Sequence, residues 1–206
     1  MRFFPGTSEK EQSDTETAVN VSMNIPEKIL QFGSQDFFHN LPDLGIHNTN
    51  EKGFFNGSVV VVSLTSNGKS DFLKNKNTFI SKVLSAKEQW REILACSCNP
   101  DLEYIVCNEK LTGKNSLKDY IRSTPPFSLP GKLLAVLFHR FEHFKGAYDK
   151  GLTIITTERI QSDAEILESI ILELAHLNNL KPEFLDWIEN GNHFRAKNKA
   201  GEKAKR

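Results

Sequence analysis

The stretch with most chemical potential is Gly33-Ser34-Gln35-Asp36-Phe37, directly after the apolar run Lys28-Ile29-Leu30-Gln31-Phe32. A glycine ending a strand lets the backbone turn tightly, so that the amides opening a following helix can meet a phosphate. A dinucleotide loop asks for a second glycine, so that the backbone can approach the pyrophosphate. Here that position holds Gln35, whose side chain would crowd it. Taken alone, one glycine after a strand is equally an ordinary turn. Three further positions follow other apolar runs. Asn108 ends Leu102–Cys107, Glu158 follows Leu152-Thr153-Ile154-Ile155-Thr156-Thr157, and Thr65 lies just past Ser58-Val59-Val60-Val61-Val62. If these runs are parallel strands, such residues stand at the edge where α/β sheets bind ligands. The segment Ser63-Leu64-Thr65-Ser66 offers no Asp or Arg to choose between a ribose hydroxyl and a ribose phosphate.

Other reactive side chains read as structural. His139, His143 and His176 fall in helical patterns without a partner pattern, and none is assigned a catalytic role. Cys96, Cys98 and Cys107 are an odd number, without a His or Cys cluster to complete a metal site; they read as reduced, buried thiols. Lys132 opens a helix after Pro130-Gly131, where its charge meets a phosphate or faces water. Trp90 and Trp187 read as core anchors.

The elements that must position these residues alternate. Lys28–Phe32, Ser58–Val62, Leu102–Cys107 and Leu152–Ile155 are strand-like and apolar on both faces, as strands covered by helices are. Ser81–Cys96 has a helical pattern, with Val83, Leu84, Trp90, Ile93 and Leu94 at three- and four-residue steps. Helices are also predicted from Gly131 to about Lys145, from Asp163 to about Asn178, and in a short segment from Pro182 through Ile188. Strand and helix in alternation predict an α/β fold: a Rossmann-like, doubly wound, mostly parallel sheet with helices on both faces. Pro42 and Gly45 weaken any helix after the first strand.

The chain is 206 residues long, 38% hydrophobic and 25% charged, enough for one large domain. Lys+Arg and Asp+Glu balance at 26 each, which removes the electrostatic footprint expected of nucleic-acid or anionic-membrane binding. Residues 1–24 are polar and read as a flexible lead, 25–194 as the domain, and 195–206 as a basic disordered tail. With no apolar leader and no bilayer-length run, a cytoplasmic location is expected.

Several strings in order resemble the tagaturonate reductase (altronate oxidoreductase) branch of the mannitol dehydrogenase family. They are Ile29–Phe38, Phe55–Val62, Ile80–Ala86, Asn99–Leu102, Pro125–Leu133, Phe138–Phe141, Lys150–Glu158, Trp187–Asn190 and Asn192–Phe194. The resemblance implies an NAD-dependent oxidoreductase acting on a hexuronate or polyol. Gly33, Ser34, Gln35, Asp36, Phe37, Thr65, Asn108 and Glu158 would be its coenzyme contacts. It also implies a helical second domain with a lysine–asparagine–histidine group for proton transfer. No such group is found in this sequence, so a separate chain would supply it. The rival readings are a non-catalytic nucleotide- or partner-binding module and an inactive remnant.

Overall fold

The computed structural model describes residues 25–33, 46, 57–64, 80–108, 119–157 and 161–197. Its centre is a six-stranded sheet of β1 (Glu27–Gly33), β2 (Ser58–Ser63), β3 (Ile80–Ser85), β4 (Tyr104–Asn108), β5 (Thr153–Thr156) and β6 (His193–Ala196). Spatial order is β3-β2-β1-β4-β5-β6, and every neighbouring pair is parallel. This is the Rossmann-type order, in which the chain starts in the middle, winds one way to β3, then crosses back to β4.

Four α-helices are described: α1 (Trp90–Ser97), α2 (Leu129–His143), α3 (Gln161–Leu177) and α4 (Pro182–Gly191). All four contribute to one core cluster, with Leu30, Phe32, Val60, Val62, Ile105 and Ile154 from the sheet. Alternate residues of the same strands, Ile29, Val59, Val61, Val106 and Ile155, form the core of the other face together with Ile46. Strand residues point alternately to the two faces. Both sets being buried is why these strands read as continuous apolar runs. The segments linking β1 to β2 and β2 to β3 lie, except for Ile46, Gly57 and Leu64, outside the described residues.

The sequence-based helix over Ser81–Cys96 divides in two. Ile80–Ser85 is the edge strand β3, and helix begins only at Trp90. β3 has Ser81 and Lys82 exposed and Leu84 buried, so it carries no long apolar run, and Val83 and Leu84 extend the spacing of Trp90 and Ile93 by coincidence. At the other end β6 reaches Ala196, so the sheet takes in Arg195 and Ala196, read above as tail.

Local chemistry fixes the helix ends near the predicted ones. Ser128 is the N-cap of α2, its hydroxyl accepting from Gly131 N at 3.0 Å, with Pro130 in the first turn. Asp119 accepts from Phe127 N at 2.9 Å and Ser128 N at 2.5 Å, so a protein carboxylate occupies this helix terminus. Asn192 ends α4: its side chain donates to Trp187 O and accepts from Leu152 N, each at 2.9 Å, joining the helix end to the entrance of β5. Phe184 and Trp187 are buried and meet Phe141 edge-on at 5.1 and 5.7 Å.

Candidate functional site

β1 and β4 are neighbours in space but leave the sheet toward opposite halves of the fold. The carboxyl edge where they part is therefore the topological switch point, where open α/β sheets take ligands. Two of the residues singled out from the sequence meet there: Gly33 ends β1, Asn108 ends β4, and they are register partners.

Gly33 has φ +108°, a conformation open to glycine and costly for other residues. A Cβ on it would stand 2.5 Å from Asn108 O. The backbone thus lies against its neighbour with no space for a side chain. Asn108 is oriented from the next strand, its Oδ1 accepting from Thr157 Oγ1 at 3.0 Å. Thr157 is held in turn, its N–H donating to Cys107 O at 3.2 Å. Beside it, the hydroxyl of Thr156 is buried and has no hydrogen-bond partner among the described residues. Such a hydroxyl at a sheet's ligand edge is a polar group of the kind a ligand satisfies.

Thr157 is the residue the sequence reading passed over in favour of Glu158. Cys107 pairs with Thr156 in register, so the residues one step beyond them, Asn108 and Thr157, are also neighbours. Ser34, Gln35, Asp36, Phe37, Thr65 and Glu158 lie outside the described residues.

Lys132 does not face water. It is buried, and its Nζ donates to Phe127 O at 2.5 Å. With Asp119 on the preceding amides, the start of α2 is a protein-satisfied cap. Cys96 and Cys107 are buried as expected, whereas Cys98 is half-buried. Burial, and next the charge of His143, hold His139 below its usual range. Among the described residues no three His, Cys, Asp or Glu side chains come together to hold a metal. No helix among them is long and apolar enough to cross a membrane.

No protein-family model matches the chain. Altronate oxidoreductases do, among them that of Halalkalibacterium halodurans, 29% identical over 197 residues, covering 84% of this chain and 38% of that protein. The enzyme of Cronobacter sakazakii is 31% identical over 193 residues, covering 82% and 40%, and that of Bacteroides thetaiotaomicron 31% over 199, covering 84% and 41%. The chain thus spans about two fifths of the length of these relatives. Among solved structures, Pseudomonas fluorescens mannitol 2-dehydrogenase, in its ternary complex with NAD and D-mannitol, superposes with a TM-score of 0.60 at 16% identity. That match covers 83% of this chain and 41% of that one. Substrate-free D-sorbitol dehydrogenase gives 0.60 at 15% identity, over 82% and 41%. At such identities these two establish the fold.

Proposed function

The chain is a homologue of the N-terminal part of the altronate oxidoreductases, and from that premise we propose that its described domain is the coenzyme-binding half of an NAD-dependent oxidoreductase acting on a hexuronate or polyol. The observation carrying the reading is Gly33 against Asn108 at the switch point, left-handed and with no room for a Cβ. It favours a ligand that approaches main chain, as a dinucleotide pyrophosphate does. Asn108 and Thr157, locked to each other, would hold the ribose or nicotinamide side, with the buried Thr156 hydroxyl available to a polar ligand atom. Ser34 through Phe37, Thr65 and Glu158 complete the proposed contact set.

When bound, the coenzyme supplies the hydride chemistry; the chain's share is to bind and orient it. Proton transfer needs an acid–base group within hydrogen-bond reach of the substrate. In this proposal that group belongs to the helical domain that the resemblance implies, and the protein works in the cytoplasm. The second reading is a nucleotide-binding module without turnover. It is favoured by Gln35, which stands where a dinucleotide loop asks for a second glycine.

Calorimetric titration of the purified chain with NADH and with NADPH tests the proposal. One saturable site for NADH, weakened by Asn108→Ala and by Thr157→Val, is the expected result. A folded chain that binds neither coenzyme at millimolar concentration would overturn it. Binding without any dehydrogenase activity, even with the relatives' C-terminal domain added, would leave the second reading.

A further inference from the structure

Register extends the carboxyl edge of the sheet beyond Gly33 and Asn108. Phe32 pairs with Val62, so Gly33 and Ser63, one step on, are neighbours, and Ser63 pairs in turn with Ser85. With Thr157 beside Asn108, one row crosses the strand ends: Ser85, Ser63, Gly33, Asn108, Thr157. Successive strand residues alternate between faces. Leu84, Val62, Phe32 and Cys107, each one residue earlier, pack into the core under the helices. Ser85, Ser63, Gly33 and Asn108 therefore belong to the opposite face. Every member of the row is small and uncharged.

A pyrophosphate over Gly33 has a sugar bonded on each side. Asn108 and Thr157 serve the one toward β4. The one toward β2, the adenosine ribose, comes to Ser63, one strand spacing of about 5 Å away. In a dinucleotide fold an acid here accepts from the ribose 2′-hydroxyl, whereas a cation nearby accommodates a 2′-phosphate. Ser63 is buried and neutral. From Ser63 to Ser70 the sequence has no carboxylate and one cation, Lys69. At the end of β3 the polar groups of Ser85 are engaged by the turn into α1: its N–H donates to Gln89 Oε1 at 3.2 Å and its hydroxyl accepts from Glu88 N at 3.4 Å. Gln89 Nε2 donates to Glu92 Oε2 at 2.9 Å. The charges just past β3, Lys87, Glu88, Arg91 and Glu92, are exposed and balance one another.

On the coenzyme-site reading of the switch point, we infer that Ser63 is the selectivity position and that the site admits NADPH as readily as NADH. A 2′-phosphate meets no like charge in the row, since a serine stands where a carboxylate would repel it. A 2′-hydroxyl finds there no carboxylate to favour it over the phosphate. Selectivity is then lost on the β2 side of Gly33, while the contacts on the β4 side, Asn108 and Thr157, are common to both coenzymes.

The test is calorimetric titration of the full chain with NADH and with NADPH, read as the ratio of the two dissociation constants. For the wild-type chain the ratio should lie within about fivefold of unity. Ser63→Asp should weaken NADPH relative to NADH by about tenfold or more, as a like charge at close range does. Asn108→Ala, on the other side of Gly33, should weaken both coenzymes alike. A wild-type preference beyond about fivefold in either direction, a folded Ser63→Asp with the ratio unchanged, or a ratio moved by Asn108→Ala would each overturn the inference and leave the coenzyme site standing. Binding of neither coenzyme would remove the site and the inference together. Should Ser63→Asp fail to fold, the wild-type ratio and Asn108→Ala decide alone.

Discussion

At the scale of single residues, Gly33 is where geometry and proposed function coincide. Gly33→Ala places a methyl 2.5 Å from Asn108 O on a backbone at φ +108°, so torsional strain and overlap add. A loss of about 2–4 kcal/mol is expected in urea denaturation. The same substitution at Gly146, φ +72°, brings a Cβ within 2.9 Å of the Phe141 ring at the other edge of the sheet. Gly146→Ala should also destabilise, yet leave coenzyme affinity unchanged wherever the protein is folded. If both glycine variants lose affinity equally, Gly33 is a folding residue and not part of a ligand site.

At the scale of elements, the ties between helix ends and strands carry the stability. Asn192→Ala leaves Leu152 N without its partner in a buried place and removes a second donor from Trp187 O, so it should cost about 1–3 kcal/mol by urea denaturation. On α3, Glu168 is raised above the usual carboxylate range by burial, then by Glu189 and Glu165. Raised in the fold, its neutral form favours the native state, a contribution present below the unfolded pKa and lost as pH climbs through the folded one. Glu168→Gln should therefore stabilise slightly at pH 7, by about 0.5 kcal/mol or 1–2 °C, and lose that advantage below about pH 4. A melting curve of the variant at both pH values checks the sign. What was legible in the sequence divides along the same lines. β1, β2, β4 and β5 lie inside the sheet and bury both faces, so composition alone announces them. β3 and β6 are edge strands, six and four residues long and partly exposed; their pairing is decided by the neighbouring strand and not by their own pattern. The site followed the same rule. Gly33 and Asn108 could be read as strand ends, but their contact, and Thr157 beside them, depend on a register that sequence spacing does not encode.

At the scale of the whole molecule, a ligand at the switch point should stabilise both halves of the sheet at once. Gly33 belongs to β1, which pairs with β2; Asn108 belongs to β4, which pairs with β5. A coenzyme bridging these ends binds only the native state, so its binding energy adds to unfolding free energy as RT ln(1 + [L]/Kd). At a hundredfold excess over Kd this is about 2.7 kcal/mol, which for a domain near this size raises the melting temperature by roughly 5–10 °C. The shift should grow with the logarithm of NADH concentration. It should be smaller in Asn108→Ala at every concentration, since that variant loses a contact on the β4 side alone. A ligand bound elsewhere would give the logarithmic rise without sensitivity to Asn108. A flat melting temperature up to millimolar NADH would mean that the crevice has kept the sheet's architecture without its ligand. Melting curves over that range, for wild type and Asn108→Ala side by side, separate the three outcomes in one series.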